Sequence, residues 1–234
     1  MLYNKRERVM HMDKKECFKR YLLFIISLFF IGLGIAMTKR AELGISPVSS
    51  VANVMSIKFQ ALSFGTWAMF VNFTFLLGQI LVLRRRFELR QLLQIPLTFI
   101  YGYFTDFGVW LMQFIPNETY VGRLLLVVGG CVVLAFGITL GVIANIILNS
   151  PEAFIKTLAD ATKIEFGIMK IIFDVCWVSV SIILSLFFFG GKIVGTREGT
   201  VITAILVGLI VKSLSRLLRR PLERLLVSRP AEVK

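Results

Sequence analysis

Histidine is almost missing from this chain: His11 is the single one in 234 residues. A His-ligated metal centre therefore has no ligand set, and intramembrane serine proteolysis lacks its histidine partner. Cysteine is nearly as scarce. Cys17, Cys131 and Cys176 lie singly with no CxxC pair, which gives neither a disulfide framework nor a zinc knuckle. Carboxylates number 14 against 27 lysines and arginines, and the acids inside apolar runs are isolated. Clustered acids of the kind a metal-dependent lipid transferase needs are absent. The expectation is a protein that is not an enzyme, with no cofactor and no metal.

Charge is also missing over long distances. Leu62 to Leu83 carries none over 22 residues, and Leu124 to Leu148 none over 25. Tyr21 to Met37 adds a third uncharged run. A bilayer core needs about 20 apolar residues in a helix. With 56% hydrophobic residues and a mean hydropathy of +0.78, the chain reads as a polytopic, all-α membrane protein. After the basic N-terminus and first run, "GLGIAMTKRAELG" offers a poor cleavage site and many spans follow, so an uncleaved first helix is expected.

The net charge of +13 does not point to nucleic acid. The cations cluster at Lys5–Arg20, Arg84–Arg90 and Lys212–Lys234, between or beyond the apolar runs, as in membrane proteins whose basic loops face the cytoplasm. Six spans are expected near 20–38, 63–83, 91–113, 122–145, 166–190 and 198–217. With both termini inside, 20 cations fall inside and six outside, with Lys170 within a span. Residues 1–19 then form a basic cytoplasmic tail, 20–217 one transmembrane domain, and 218–234 a basic amphipathic tail, kinked at Pro221, on anionic inner-leaflet lipids.

The stretch "LGISPVSSVANVM" (Leu43–Met55) is too polar for lipid and too apolar for an ordinary loop. A full crossing here would turn "RRRFELR", the most basic short connection, outward. The segment must dip in and return or lie on the surface. Ser46 is placed to cap a helix and Pro47 suits its first position. About 103 residues on, "LNSPEAFIKTLAD" repeats the pattern with Ser150 and Pro151. Gly34 matches Gly137, Gly65 matches Gly167, and Gly102 matches Gly208, which sets Asn72 opposite Asp174. Each half is span, Ser-Pro helix, span, span. Three spans per half is an odd number, so the expected fold is two inverted three-helix repeats (20–113 and 122–217), each with a short re-entrant or interfacial helix.

Inverted repeats with short spans at matching positions characterise secondary transporters, with the site between the halves. The third span has 15 uncharged residues between Arg90 and Asp106, the sixth 13 between Glu198 and Lys212. The candidate pathway residues are Ser46, Pro47, Asn72, Asp106, Ser150, Pro151, Lys170 and Asp174. A carboxylate at the depth of Asp174 is costly unless paired or solvated. Lys170, one turn earlier, is an equally good local partner, and Asp106 falls near the outer interface, where headgroup water reaches it. Two Ser-Pro helix ends meeting near the midplane favour an anion, although Glu152 already supplies a negative charge at the second. Glycines at 32 and 34, 129 and 130, and 137 and 141 read as close helix packing.

The motifs "LGISPVSS", "LSFGTWAMFVNFTFLLG" and "GTREGTVITAILVGLIV" resemble the YczE/YyaS/YitT-like group of bacterial integral membrane proteins over residues 20–217. The resemblance keeps the Gly199-Thr200 start of the last span and the polar Thr203. It implies a multi-pass protein of the bacterial inner membrane and no particular substrate. Two functions stay open: a small-molecule or ion-coupled transporter, and a non-transporting scaffold or regulatory component. A homo-oligomer is compatible with either.

Overall fold

The computed structural model describes residues 14–226; His11, most of the N-terminal tail and the last eight residues of the C-terminal tail lie outside that range. Among the described residues the chain is helical. The helices are α1 (Lys14–Ala41), α2 (Ser50–Lys58, entered through a 3₁₀ turn at Pro47–Ser49), α3 (Phe64–Leu83), α4 (Gln94–Met112), α5 (Tyr120–Ala144), α6 (Ser150–Thr162), α7 (Phe166–Phe188) and α8 (Glu198–Leu226). Five of them, α1, α3, α5, α7 and α8, are long and apolar enough to cross a membrane. The expected third span, α4, has 19 residues and falls short in apolarity rather than length, because Gln94, Thr98, Thr105 and Asp106 interrupt it.

Both terminal helices outrun their apolar cores. α1 starts at Lys14, where Lys, Glu and Arg are good helix formers. Arg20, expected at the edge of the cytoplasmic tail, is buried instead. Its guanidinium donates to the Ile143 and Ala144 carbonyls and pairs with Glu16, closing the C-terminus of α5. α8 runs through Pro221 to Leu226 as one helix, so the expected separate tail continues the last span. Lys19 donates to the Leu225 carbonyl and ties the two ends together.

Outward faces carry large apolar side chains such as Leu77, Leu81, Tyr103, Leu125 and Phe187, while the interior is rich in small and hydroxyl residues. This is the distribution of a protein whose solvent is lipid, where small residues let helices approach. Buried Ser27, Thr38, Thr105, Thr139 and Thr203 each donate to a carbonyl three or four residues back on their own helix, so none of these five hydroxyls is stranded.

The centre is an antiparallel pair, α1 against α5, brought together by glycines. Gly34 lies on the Leu134 backbone and Gly137 on Ile31; Gly130 lies on Thr38 and Gly141 on Ser27. Adding 103 to one residue number and subtracting it from the other turns Gly34–Leu134 into Gly137–Ile31, and Thr38–Gly130 into Gly141–Ser27. α4 runs parallel to α1, with Gly32 on Thr105 and Gly108 on Ala36. α8 runs parallel to α5. The cross-contacts also come in matched sets: α3 packs on α6 and α2 on α7, and within the halves α2 packs on α3 and α6 on α7.

One set is broken. α3 and α4 pack along their length, whereas α7 and α8 barely touch. A Cβ on Gly65 would collide with the Gly102 carbonyl and Asp106, and one on Gly102 would meet Met69. At the aligned positions, Gly208 has nothing within 4 Å and Gly167 only its neighbour Glu165 at 3.9 Å.

A candidate site between the helix tips

Two short helices bring polar backbone toward the centre. Leu43 and Ile45 are fully buried, and Gly44, with φ +114°, lets the chain pass against Thr200. Gly199 N–H donates to the Leu43 carbonyl at 2.7 Å, and Ile45 N–H to Thr200 Oγ1 at 3.3 Å. The stretches "LGISPVSS" and "GTREGT" therefore meet in space. Trp177, at the midpoint of α7, donates through Nε1 to the Val48 carbonyl at 3.0 Å, while Lys58 at the other end of α2 donates to the Phe188 carbonyl. The N-terminus of α2 thus reaches about 16 Å along α7 from the end that its own C-terminus touches.

The tip of α6 sits differently. Gln79 Nε2 donates to the Ser150 carbonyl at 3.2 Å, and Gln79 and Gln94 exchange amide hydrogen bonds at 3.3 and 3.1 Å, fully inside the protein. Gln79 is four residues from the end of α3, so this tip lies about 6 Å from that end. Behind it, Phe75, Phe154, Phe173 and Trp177 form one aromatic cluster joining α3, α6 and α7.

The capping expectation needs correcting at both tips. Ser46 makes no side-chain cap; its hydroxyl bonds Ser49 Oγ at 3.2 Å. Ser150 is already inside its helix, with Asn149 in the cap position and Pro151 second. In each case the proline holds the first turn without help from the serine hydroxyl.

Between the tips lies a cavity of about 780 Å³, inside the range of small-molecule sites of roughly 300–1,000 Å³. It gathers Ser46, Pro47, Asn72, Ser150, Pro151, Lys170 and Asp174, seven of the eight residues singled out by sequence. Lys170 Nζ lies 2.6 Å from both Asp174 oxygens, so the local ion pair forms and faces the cavity at once. Ile31, Ile35, Leu134, Ile138 and Val207 make the opposite wall, and the cavity reaches the surface past Phe166, Ile171 and Gly208, along the open α7–α8 seam.

Asp106 stands apart. It accepts from Ser63 Oγ at 2.5 Å and from Gly65 N–H at 2.7 Å, holding the start of α3 against α4. It lines a smaller recess with Lys39, Ser56 and Gln113 on the far side of the closed seam. These partners come in addition to the open recess that Asp106 lines, where solvent expected from its depth can reach it. Lys39, expected in an outer loop, donates to Asn53 at 2.8 Å and Ser56 at 3.2 Å and lies 4.4 Å from the Phe64 ring centre.

Sequence reasoning passed over Glu152 as a site residue, and it missed the Gln79–Gln94 pair. Glu152 lines the cavity, and its Oε2 is shielded from solvent without a hydrogen-bond partner. An acid in the first turn of a helix reads as ordinary capping, which hid it. No group of three or more His, Cys, Asp or Glu that could hold a metal occurs among the described residues. No curated protein and no solved structure matches the chain. Over residues 18–216 it matches the family described as "Family of unknown function (DUF6198)", and to that family the chain belongs.

Proposed function

We propose that the protein is a secondary transporter of a small solute, or an ion-coupled one, built from two inverted repeats with its site at their interface. The carrying observation is the cavity in which the Ser46-Pro47 and Ser150-Pro151 tips, Asn72 and the Lys170–Asp174 pair converge. The exchange-related glycine contacts of α1 and α5 support the repeat, since an axis lying in the membrane plane between them would generate them. On this reading α4 is the sixth crossing, its polar residues turned to protein rather than lipid. α2 is re-entrant, and α6 lies nearer the interface.

The two unequal seams support alternating access: one half is shut where Gly65 meets Gly102, and the other is open where Gly167 and Gly208 stand apart. Both termini and the Arg84–Arg86 connection are placed in the cytoplasm of a bacterial cell, so the open seam faces inward. The basic residues of α8 from Arg216 to Arg224 then rest on anionic lipid. The motif resemblance to the YczE/YyaS/YitT-like group fits a cell-membrane location. Binding and passage, rather than catalysis, are the chemistry these residues support.

The test is two-sided accessibility. With Cys17, Cys131 and Cys176 replaced, Asn72→Cys and Ala204→Cys are labelled with a membrane-impermeant maleimide from whole cells and from inverted vesicles. A transporter gives labelling from both faces. A scaffold or regulatory component gives labelling from one face or none, and that result overturns the reading.

A further inference from the structure

Five charged side chains line the cavity: Glu152, Lys156 and Asp160 from α6, and Lys170 and Asp174 from α7. Three acids against two lysines leave one negative charge in excess. Lys170 is committed to Asp174, with both carboxylate oxygens at 2.6 Å. Glu152 has no ion pair of its own: its Oε2 is shut off from solvent with no hydrogen-bond partner, and the ammonium acting on it is that of Lys170, which Asp174 already holds. A carboxylate that shares its one nearby ammonium with a second acid inside a membrane protein is costly, and an occupant that brings a positive charge lowers that cost.

The surroundings select further. Nothing ionisable reaches Glu152 from α3, whose twenty residues carry no charge. The cavity-facing stretches of α1 (Phe24–Ile35) and α8 (Thr203–Val211) present no ionisable side chain either. From α4 the only such group is the Tyr101 phenol. An anion would meet Glu152 and Asp174 together. The remaining wall is mostly aliphatic and aromatic, including Phe24, Leu28, Ile138 and Phe166, with uncharged polar groups such as Asn72, Thr98 and Thr203 between them.

We propose that the cavity binds a monovalent lipophilic cation with Glu152 as its counter-ion, and that a proton replaces the cation on Glu152 when it leaves. This rests on the reading of the cavity as the substrate site and names what that site takes. The exchange balances: one carboxylate accepts either one proton or one cation, never both.

The experiment uses the purified full chain in lipid nanodiscs with radiolabelled tetraphenylphosphonium, and tetraphenylborate as an anion of the same shape. The expected result is saturable binding that tetraphenylborate does not displace, and that weakens as pH falls from about 8 to about 5 because protons compete. Glu152→Gln weakens binding at least about tenfold and flattens the pH dependence. Lys170→Gln acts in the opposite sense. It releases Asp174 as a second counter-charge and tightens binding about threefold or more, a gain that a misfolded protein cannot give. Displacement by tetraphenylborate, unchanged binding in Glu152→Gln, or weaker binding in Lys170→Gln overturns the proposal. Two-sided maleimide labelling without phosphonium binding leaves the transporter standing and removes this occupant. Phosphonium binding with the expected variant effects but one-sided labelling keeps the site and removes transport.

Discussion

At the scale of single residues, the most consequential polar contact is an amide pair. Gln79 and Gln94 satisfy each other inside the protein, and Gln79 also holds the Ser150 carbonyl at the α6 tip. Removing one buried partner exposes the other's desolvation cost, about 1–3 kcal/mol, whereas replacing both with apolar groups of similar shape costs less. Gln79→Leu should therefore lower stability by about that amount, and Gln79→Leu with Gln94→Leu by less than Gln79→Leu alone. Denaturant titration of the purified protein in mixed micelles reads both. A double variant as damaged as the sum of the singles would mean the amides act separately. Lys170 and Asp174 were legible because a charge stands out within an apolar run. The two glutamines were not, because an amide near the end of a run looks like interface chemistry, and Glu152 hid behind its suitability for a helix start.

Individual helices show where the sequence pattern was reliable. The expected spans 63–83 and 122–145 match α3 and α5 within two residues, because the length of an apolar stretch is set by the bilayer it must cross. Helices that leave the apolar zone, α1 and α8, were cut short, since hydropathy does not measure backbone propensity. Aligned glycines flagged helix contacts without saying which of them close. That difference is testable. In α3, a Cβ at Gly65 runs into the Gly102 carbonyl, a backbone atom that cannot swing away. Gly65→Ala should cost about 1–3 kcal/mol through overpacking. Gly167→Ala, at the matching place in α7, meets only Glu165 at 3.9 Å and should be neutral or stabilising by up to about 1 kcal/mol through helix propensity. Thermal unfolding in detergent checks the pair. Equal losses at both sites would show that the α7–α8 seam is as tightly packed as its counterpart.

For the whole molecule, what the sequence could not reveal is the inequality of its two halves. Matching residues predict matching contacts, and the α1–α5 pair obeys this. The seams do not, since Met69 backs onto Gly102 while Ile171 and Gly208, aligned with them, face the cavity. The proposed alternation requires a second arrangement of closely similar contacts, in which α7 closes on α8 and α3 parts from α4. The two differ only through the residues that differ between halves, notably Asp106 bonding Ser63 and Gly65 on one side and the Lys170–Asp174 pair on the other. States a few kcal/mol apart are both populated in general, and the proposal takes the ligand to select between these two. In a cysteine-free background, Met69→Cys with Gly102→Cys should cross-link readily and fix the cavity open toward the face where α1 begins. Ile171→Cys with Gly208→Cys should cross-link only in the exchanged state, and once linked should move labelling of Asn72→Cys to the opposite face. If the second pair never links while two-sided labelling persists, access changes by some other motion. If both pairs link in the same molecule at once, the two seams close independently and the halves do not trade places.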